Sequence, residues 1–367
     1  MPALFINFIH PGEIMINRIA KAKRSYITRN VDLAVATSVC QGKPRSGDLI
    51  LARVDRIRNH TRLENEAGRR EHLYPGDEII VAAADRYATG QFHARVPAEL
   101  GACHLVAAGG IAAEVSQRNK GIKAATEITA LGLLCDMQGE VVNLKQFAPL
   151  NEQPFKSISL ERLPTLLIMG SDMNSGKTTL ACAAANGFRQ AGYRISATKL
   201  TGTGAGPDYW RMKDAGADRV IDFLDAGYAS TVGMTPQELV DILYRFKADA
   251  LQQNSDLLIV EVADGVLQPE NRALLESEIF LDEISAALIA ADGAIAATMT
   301  AQTVLHAGIS VLGVGGLISK SPLSCDEARN SLGLPILELD DFHRDVTRDY
   351  LLGSLFGAEN YATAHSG

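Results

Sequence analysis

The sequence predicts an α/β protein in which a mainly parallel sheet follows a smaller, β-rich N-terminal domain. After residue 164, apolar strand-like runs alternate with longer helical patterns, as in parallel sheets with crossover helices. Residues 45–105 instead consist of short apolar runs between turn signals. The net charge also changes sign, because residues 1–150 contain 19 Lys and Arg against 15 Asp and Glu, and the remainder contains 16 against 28. We therefore expect a boundary near residue 150.

The predicted domains cover residues 1–150 and 164–350. Residues 146–163, which contain two prolines, are the predicted linker, and residues 351–367 are the predicted C-terminal tail. The length of 367 residues agrees with two or three domains.

Turn signals define the elements of the N-terminal domain. A Gly-Asp pair precedes the β-rich run 49–54 and a Pro-Gly-Asp triplet precedes the run 78–81, which favours a small antiparallel sheet or barrel. Residues 132–144 predict a hairpin. The run 104–110 predicts a strand that enters a helix. For the glycine pair at its end, a structural role is favoured over approach to a ligand.

The second domain shows the alternation expected of βα units. Its apolar runs predict strands at 165–169, 193–199, 256–262, 286–290, 309–314 and 335–339, and the patterns between them predict helices at 177–190, 236–252, 293–306 and 324–332. In parallel sheets of this kind, ligands bind beyond the carboxyl ends of the strands. The candidate site residues all lie at or beyond such ends.

A glycine-rich loop connects the first of these strands to the first helix. Residues 170–179 read GSDMNSGKTT, a complete G-x-x-x-x-G-K-[ST] motif. Backbone N–H groups of such a loop converge on phosphate oxygens, helped by the positive end of the helix. Lys177 is expected at the β and γ phosphates of ATP, and Thr178 is expected to bind Mg²⁺. The predicted nucleotide-binding residues are Gly170, Asn174, Ser175, Gly176, Lys177, Thr178 and Thr179.

Two further strand ends carry charged residues. Glu261 ends an apolar run and is predicted to hold Mg²⁺ opposite Thr178, the alternative being an ordinary strand-end acid. Lys199 ends another run and leads into a Gly/Thr loop, which suits an anion or a developing negative charge. The alternative for Lys199 is a surface lysine. With Lys177, these are the predicted catalytic residues.

The loop after Lys199 supplies N–H groups and hydroxyls without bulky side chains. The predicted substrate-binding residues are Lys199, Thr201, Gly202, Thr203 and Asp208. Asp208 is also a predicted metal ligand together with Thr178 and Glu261, and capping of the following helix is an equally favoured role for it. For Asp264, the sequence favours neither a role in the site nor an ordinary strand-end position.

Composition argues against several other classes of protein. The charges of the N-terminal part are mixed in sign and lack an accompanying set of stacking aromatics, so we expect no nucleic-acid partner. No apolar run reaches the roughly 18 residues of a membrane span and no signal-like N-terminus is present, so we expect a cytoplasmic protein without a membrane partner. The five scattered cysteines form no C-x-x-C pair and are expected to be reduced, mostly buried thiols. Structural roles are favoured for His60, His104, His306 and His343.

The order of three segments resembles a known family. GSDMNSGKTT, then KLTGTG, then EVADG is similar to the pattern of dethiobiotin synthetase and its cobyrinate-amidating and partitioning-ATPase relatives, over about residues 164–340. The resemblance implies a P-loop NTPase domain, in which dimers are common. In synthetases of this group the loop lysine and threonine hold ATP and Mg²⁺, the strand-end glutamate helps the metal, and the lysine after the second strand contacts substrate. These roles fall on Lys177, Thr178, Glu261 and Lys199.

A second resemblance concerns the arrangement of the whole chain. The segment VIDFLDAG at 220–227, together with EVADG, is similar to a poorly characterised P-loop family that includes D-glutamate N-acetyltransferases. In that family, too, a smaller N-terminal domain precedes the P-loop domain. Dethiobiotin synthetase has no counterpart of such a domain. The loop also lacks the extra lysine near its start that partitioning ATPases carry, which argues against a dimeric switch.

Three functional hypotheses follow. The first is an ATP- and Mg²⁺-dependent synthetase that activates a small carboxylate or carbamate by phosphoryl transfer and joins it to an amine. The second is an acyl-CoA-dependent N-acetyltransferase that acts on an amino acid such as D-glutamate. The third is a non-catalytic nucleotide switch. The first two have a small-molecule substrate, and a homodimer is compatible with all three.

Overall fold

The structure is a computed structural model that describes residues 11–150 and 163–356. Within these residues the chain forms a β-rich part followed by an α/β part with a parallel sheet, so the predicted fold class is confirmed. No helix in the described ranges combines the length and the apolar character needed to cross a bilayer.

The N-terminal part is built around a small barrel. Its described elements are α1 (Pro11–Lys21), β1 (Lys23–Arg24), β2 (Ser38–Cys40), β3 (Leu49–Arg56), β4 (Arg62–Glu64), β5 (Arg70–His72), β6 (Glu78–Ala83), β7 (Arg86–Tyr87), β8 (Phe92–Arg95), β9 (Ala102–Ala107), β10 (Ile111–Arg118) and β11 (Thr126–Cys135). Their order around the sheet is β6-β3-β11-β9-β10, and β10 pairs again with β6, which closes the circuit. The predicted antiparallel sheet or barrel is therefore a barrel with one parallel join, between β6 and β10.

The chain does not enter a helix at residue 111, and that prediction is wrong. β9 turns through the glycine pair into the antiparallel strand β10, with Gly110 at a φ of +110°. A Cβ atom at Gly109 would lie 2.1 Å from the carbonyl oxygen of Gly204. The pair is thus needed for a turn and for a backbone-to-backbone approach between the two parts of the protein.

One pair of cysteines differs from the prediction of free thiols. Cys40 and Cys135 form a disulfide between the neighbouring strands β2 and β11, with their Cα atoms 6.3 Å apart. They are 95 residues apart in sequence, so only the strand pairing brings them together. Cys103, Cys182 and Cys325 are free, and burial raises the pKa of the Cys103 thiol to about 12.

The second part is a parallel sheet with helices on both faces. Its described elements are β12 (Thr165–Gly170), α2 (Lys177–Gln190), β13 (Ile195–Lys199), α3 (Gly206–Asp214), β14 (Arg219–Asp222), α4 (Pro236–Gln252), β15 (Leu257–Glu261), α5 (Pro269–Leu275), α6 (Glu278–Leu281), β16 (Ala286–Ala290), α7 (Ala294–His306), β17 (Val311–Gly315), α8 (Pro322–Leu332) and α9 (Asp345–Phe356). The strand order is β14-β13-β15-β12-β16-β17, and every pair is parallel. The central strands are buried on both faces, which explains their continuous apolar runs.

The two edges of this sheet differ from the prediction. The predicted strand 335–339 contributes only an isolated bridge from Ile336 to Val314, and Pro335 removes one backbone donor from that run. At the other edge, β14 was not predicted, because two of its four residues, Arg219 and Asp222, are charged and the strand forms no apolar run. The sheet also places β15 between β13 and β12, the strand that leads into the glycine-rich loop.

Two predicted boundaries meet the ends of the described ranges. α9 passes through residue 351, the predicted start of the tail, and buries Leu351, Leu352 and Leu355 in the core that contains α2. The rest of that tail and most of the predicted linker lie outside the described residues. The division of the chain into separate domains stays a prediction.

Apolar and charged contacts join the two parts. Phe223 and Leu224, which follow β14, belong to the same buried cluster as Tyr26 of the N-terminal part. Arg29 binds Asp222 and Asp225 with N–O distances of 3.0 and 2.9 Å. The barrel therefore packs directly against β14, the edge strand that neighbours β13.

Candidate active site

A cavity of about 770 Å³ lies between the barrel and the carboxyl ends of β12, β13 and β15. This is the edge of the sheet at which parallel α/β folds bind ligands. The predicted residues that line it are Asn174, Gly176, Lys177, Thr178, Thr179, Lys199, Gly202, Thr203, Asp208 and Glu261. The structure thus brings most of the residues predicted from three separate segments to one place.

Three predicted residues do not line the cavity. Gly170 lies under the loop, where a Cβ atom would be 2.4 Å from the Ser175 hydroxyl. Ser175 is buried and its hydroxyl has no partner in the described residues. Thr201 is buried as well, and its hydroxyl accepts the backbone N–H of Ala263 at 2.9 Å. Their side chains support the loops and do not face the cavity.

The glycine-rich loop has the conformation of an anion-binding turn. Asn174 and Gly176 both have positive φ values, 67° and 102°. Gly176 also packs against Gly316, whose Cα would lie 2.9 Å from an added Cβ atom. α2 begins directly after Gly176, so the positive end of a 14-residue helix faces the cavity.

Lys177 is held at the centre of this loop. Its ammonium group donates to the backbone carbonyls of Asp172 and Asp264, each at 2.7 Å. The residue is only 6% exposed, and burial lowers the pKa of Lys177 although Glu261 and Asp264 oppose this effect. The lysine therefore ties the loop to the segment after β15 and places a cation beside the turn.

Thr178 connects two carboxylates from different elements. Its hydroxyl lies 3.0 Å from Asp208 Oδ1 and 3.0 Å from Glu261 Oε1. The other Asp208 oxygen accepts a hydrogen bond from the Lys199 ammonium group. Asp208 does not cap α3, because the residue at that position is Ala205 and Asp208 lies in the first turn. The capping alternative is thus wrong.

The charges of this cluster perturb one another. Burial raises the pKa of Glu261 to about 7, and repulsion from Asp208 adds to this while Lys199 and Lys177 oppose it. Burial opposes the ionisation of Asp208 too, yet the adjacent Lys199 ammonium keeps the pKa of Asp208 below its ordinary value. Burial likewise disfavours the charged form of Lys199, but Asp208 and Glu261 raise the pKa of Lys199 above its usual range. Asp208 and Lys199 are therefore an ion pair, and Glu261 is half protonated near neutral pH.

The donor set fits Mg²⁺. No group of three or more His, Cys, Asp or Glu side chains arranged for a metal occurs in residues 11–150 and 163–356. However, Mg²⁺ in nucleotide sites takes only one or two carboxylates and fills its other positions with phosphate and water oxygens. Glu261 Oε2 is buried and has no partner among the residues that the structure describes, so it is available to a cation beside the Thr178 hydroxyl. Thr178, Glu261 and Asp208 are the residues that would hold the ion.

The barrel contributes residues to the cavity that the sequence did not reveal. They include His60, Glu64, Arg70, Arg86 and Gly109. His60 was expected to be structural. Its Nδ1 lies 3.1 Å from the Leu105 carbonyl, and burial lowers the pKa of His60 to about 4, so its ring is neutral. From the sequence, only the glycine pair with Gly109 is a candidate for a ligand contact, and a structural role is favoured for it. The other residues come from short strands and turns that only the barrel places opposite the loop.

Glu64 links the barrel to the helix that carries Asp208. Its side chain is 1% exposed, pairs with Arg70 at 3.0 Å and accepts the backbone N–H of Gly206 at 2.9 Å. Gly206 is the first residue of α3. A carboxylate at this place satisfies an unpaired helix donor and interacts favourably with the helix dipole.

Comparisons with known proteins show partial likenesses of fold. No family model and no curated protein matches the sequence. The signal recognition particle receptor FtsY from Elizabethkingia anophelis is 16% identical, and the match covers 59% of this chain and 75% of FtsY with a TM-score of 0.37. The kinase domain of the Escherichia coli tyrosine kinase ETK is 18% identical, with 46% of this chain and 72% of that domain covered and a TM-score of 0.31.

A third similar structure is a DUF1611 family protein from Anabaena variabilis. It is 17% identical, and the match covers 55% of this chain and 61% of that protein with a TM-score of 0.35. Identities and TM-scores this low assign no activity to the chain. The assignment of a P-loop α/β fold rests instead on the parallel strand order, the loop between β12 and α2, and the strand-end carboxylate beside its threonine.

Proposed function

We propose that the protein is an ATP- and Mg²⁺-dependent enzyme that activates a small carboxylate by phosphoryl transfer and joins it to an amine. The observation that carries this proposal is the cluster of Thr178, Asp208 and Glu261 beside the loop lysine, with Lys199 on the far side of the carboxylates. Such a cluster is suited to a nucleotide triphosphate with its metal, and the cavity extends beyond it towards the barrel.

The proposed reaction has two steps. A carboxylate oxygen of the substrate attacks the γ-phosphorus, the bond to the β–γ bridging oxygen breaks, and an acyl phosphate and ADP form. An amine nitrogen then attacks the acyl carbon, phosphate leaves, and the amine gives up a proton. Mg²⁺, when bound, would neutralise charge on the phosphate oxygens.

The protein residues supply position and charge. The positive end of α2 and the Lys177 ammonium group would stabilise the transferred phosphate, and the buried setting would strengthen each interaction. Lys199 lies across Asp208 from Thr178, so its cation is available to the carboxylate or to the acyl phosphate. Glu261 and Asp208 hold the metal side of the cluster.

Coenzyme A is the other phosphate-bearing ligand that suits the same loop. An acyl-CoA-dependent N-acetyltransferase would use the loop for the phosphates of the coenzyme and would release no ADP. The carboxylate pair beside Thr178 favours the nucleotide, because a CoA-binding loop has no need of a metal. A nucleotide switch would need no second substrate.

The test is turnover with ATP, Mg²⁺ and panels of small acids and amines. We expect ADP and phosphate to be released only when an acid is present. Lys199→Ala should lower kcat and kcat/KM together by on the order of 10²- to 10³-fold, because it removes charge stabilisation of the transition state. Its affinity for ATP, measured by calorimetry, should change little.

Lys213→Ala is the matched control, since Lys213 is an exposed lysine on α3 whose ammonium group donates to the Asp218 carbonyl at 3.3 Å. It should have wild-type turnover. Consumption of acyl-CoA without release of ADP would contradict the synthetase hypothesis and support the acetyltransferase hypothesis. Equal loss of ATP affinity and turnover in Lys199→Ala would remove Lys199 from the substrate side of the site.

A further inference from the structure

A buried arginine of the barrel faces the cavity without a counter-ion. Arg86, the first residue of β7, lines the cavity and is 7% exposed. Its Nη2 donates to Gln91 Oε1 at 2.9 Å, but Nε and Nη1 have no partner in the described residues. A buried guanidinium group with unused donors is costly, so a structural role alone does not account for it.

Arg86 forms no ion pair among the described residues. The acidic group with an electrostatic effect on it is Asp264, which also lines the cavity. Burial lowers the pKa of Arg86 to about 10, so it remains charged at neutral pH. Its neighbour His60 is neutral and cannot compensate the charge. The barrel side of the cavity therefore has a positive centre opposite the loop.

We propose that Arg86 binds an oxyanion of the second substrate, of the carboxylate or phosphate type. The inference rests on the proposed function in one respect only, namely that the cavity is where this substrate meets the nucleotide. The barrel would then recognise the substrate, while the loop and the Thr178 cluster bind the triphosphate. Because Gln91 accepts one hydrogen bond from the side chain, the guanidinium group is held in place before the ligand arrives.

The test is binding of small oxyanions to the full chain. The protein is first saturated with ADP and Mg²⁺ to occupy the loop, and then titrated with acetate, succinate or inorganic phosphate at constant ionic strength. We expect a saturable rise in Tm with one of the two anion classes. Arg86→Gln should weaken that binding about tenfold or more, the effect of losing a charge-assisted hydrogen bond.

Two controls separate this effect from general electrostatics and from the loop. Arg62→Gln removes an exposed cavity arginine and should leave the anion affinity within about twofold. Lys177→Ala, titrated without nucleotide, should lose binding of ADP but keep Arg86-dependent binding of the anion. Loss of anion binding in Lys177→Ala, or an equal loss in Arg62→Gln and Arg86→Gln, would overturn the proposal.

Stability gives an independent readout. Arg86→Met removes an uncompensated buried charge, so the ligand-free variant should have a Tm equal to or higher than that of the wild type. A lower Tm together with unchanged anion affinity in Arg86→Gln would make Arg86 a structural residue. If no ADP-forming turnover is found but Arg86-dependent binding persists, the proposed reaction fails and the oxyanion site stands.

Discussion

In the proposed site, Glu261 is the residue whose protonation state would control the binding of Mg²⁺. Its raised pKa means that the unfolded chain releases this proton near the ordinary value of 4.5, whereas the folded chain retains it to about 7. The metal-free protein therefore loses stability as the pH rises between these values, by an amount on the order of 3 kcal/mol. Mg²⁺ requires the ionised form, so its binding follows the opposite trend.

We predict that the affinity for Mg²⁺ in the presence of ADP is about tenfold lower at pH 6 than at pH 8. Glu261→Gln should abolish this pH dependence and weaken Mg²⁺ binding, and should raise the free energy of unfolding of the metal-free protein at pH 8. Calorimetry and denaturant unfolding measure the two effects. Glu276→Gln, an exposed glutamate, is the control. A pH-independent affinity in the wild type would remove Glu261 from the metal site.

The sequence predicted the site residues in the glycine-rich loop and at the strand ends, but not the barrel residues that face them across the cavity. The loop and the strand-end residues could be found because strand, loop and helix recur in a fixed order, which places Lys177, Lys199 and Glu261 at one edge. Arg86 and Glu64 could not be found, because Arg86 begins and Glu64 ends a very short strand, and both become relevant only through the closure of the barrel. Their burial as charged residues is visible only in three dimensions.

At the scale of elements, α3 depends on a residue from the other part of the protein. The helix begins at Gly206 without a side-chain cap of its own, and Glu64 supplies the missing acceptor. Asp208 lies in the first turn of this helix, so the position of the carboxylate near Thr178 is coupled to Glu64.

We predict that Glu64→Gln lowers the free energy of unfolding by about 1–3 kcal/mol, because a buried acceptor loses its charge and its ion pair with Arg70. It should also weaken Mg²⁺ binding while leaving Mg²⁺-free nucleotide affinity unchanged. Glu66→Gln, a half-exposed glutamate in the following turn, is the matched control. Stability loss without any change in Mg²⁺ affinity would limit Glu64 to holding the two parts together.

Element boundaries were predictable where local chemistry defines them. α2 and α4 begin and end at the predicted residues. A loop glycine precedes α2, and a threonine N-cap that forms a capping box with Glu238 precedes the proline at which α4 begins. β14 and the 335–339 run were not predictable in this way. Their pairing depends on which edge of the sheet is left open, and single-sequence periodicity does not contain that information.

At the scale of the whole molecule, the contact between the two parts is both apolar and charged. Arg29, Asp222 and Asp225 form a largely buried ion cluster, and Tyr26 packs beside Phe223 and Leu224. Burial raises the pKa of Asp222, and Arg29 opposes this effect. The two parts therefore contribute to each other's stability whether or not they can fold alone.

We predict that cutting the chain at a protease site engineered into residues 151–162 leaves the two fragments associated at low salt on a sizing column. Arg29→Ala in the cut protein should promote dissociation, because it removes the cation that pairs with two buried carboxylates. Arg53→Ala, which removes an exposed ion pair within the barrel, should not. Fragments that separate without any substitution would show that the covalent link maintains the assembly.

The position of the cavity has a consequence for how this protein can change. The residues proposed to bind the triphosphate come from one part of the chain and Arg86 comes from the other, and the two face each other across the cavity instead of sharing an element. Replacing side chains on β4, β7 or the turn at Gly109 can therefore alter which small molecule is accepted while the phosphate chemistry is kept. New specificities can therefore be selected through substitutions confined to the barrel side of the cavity.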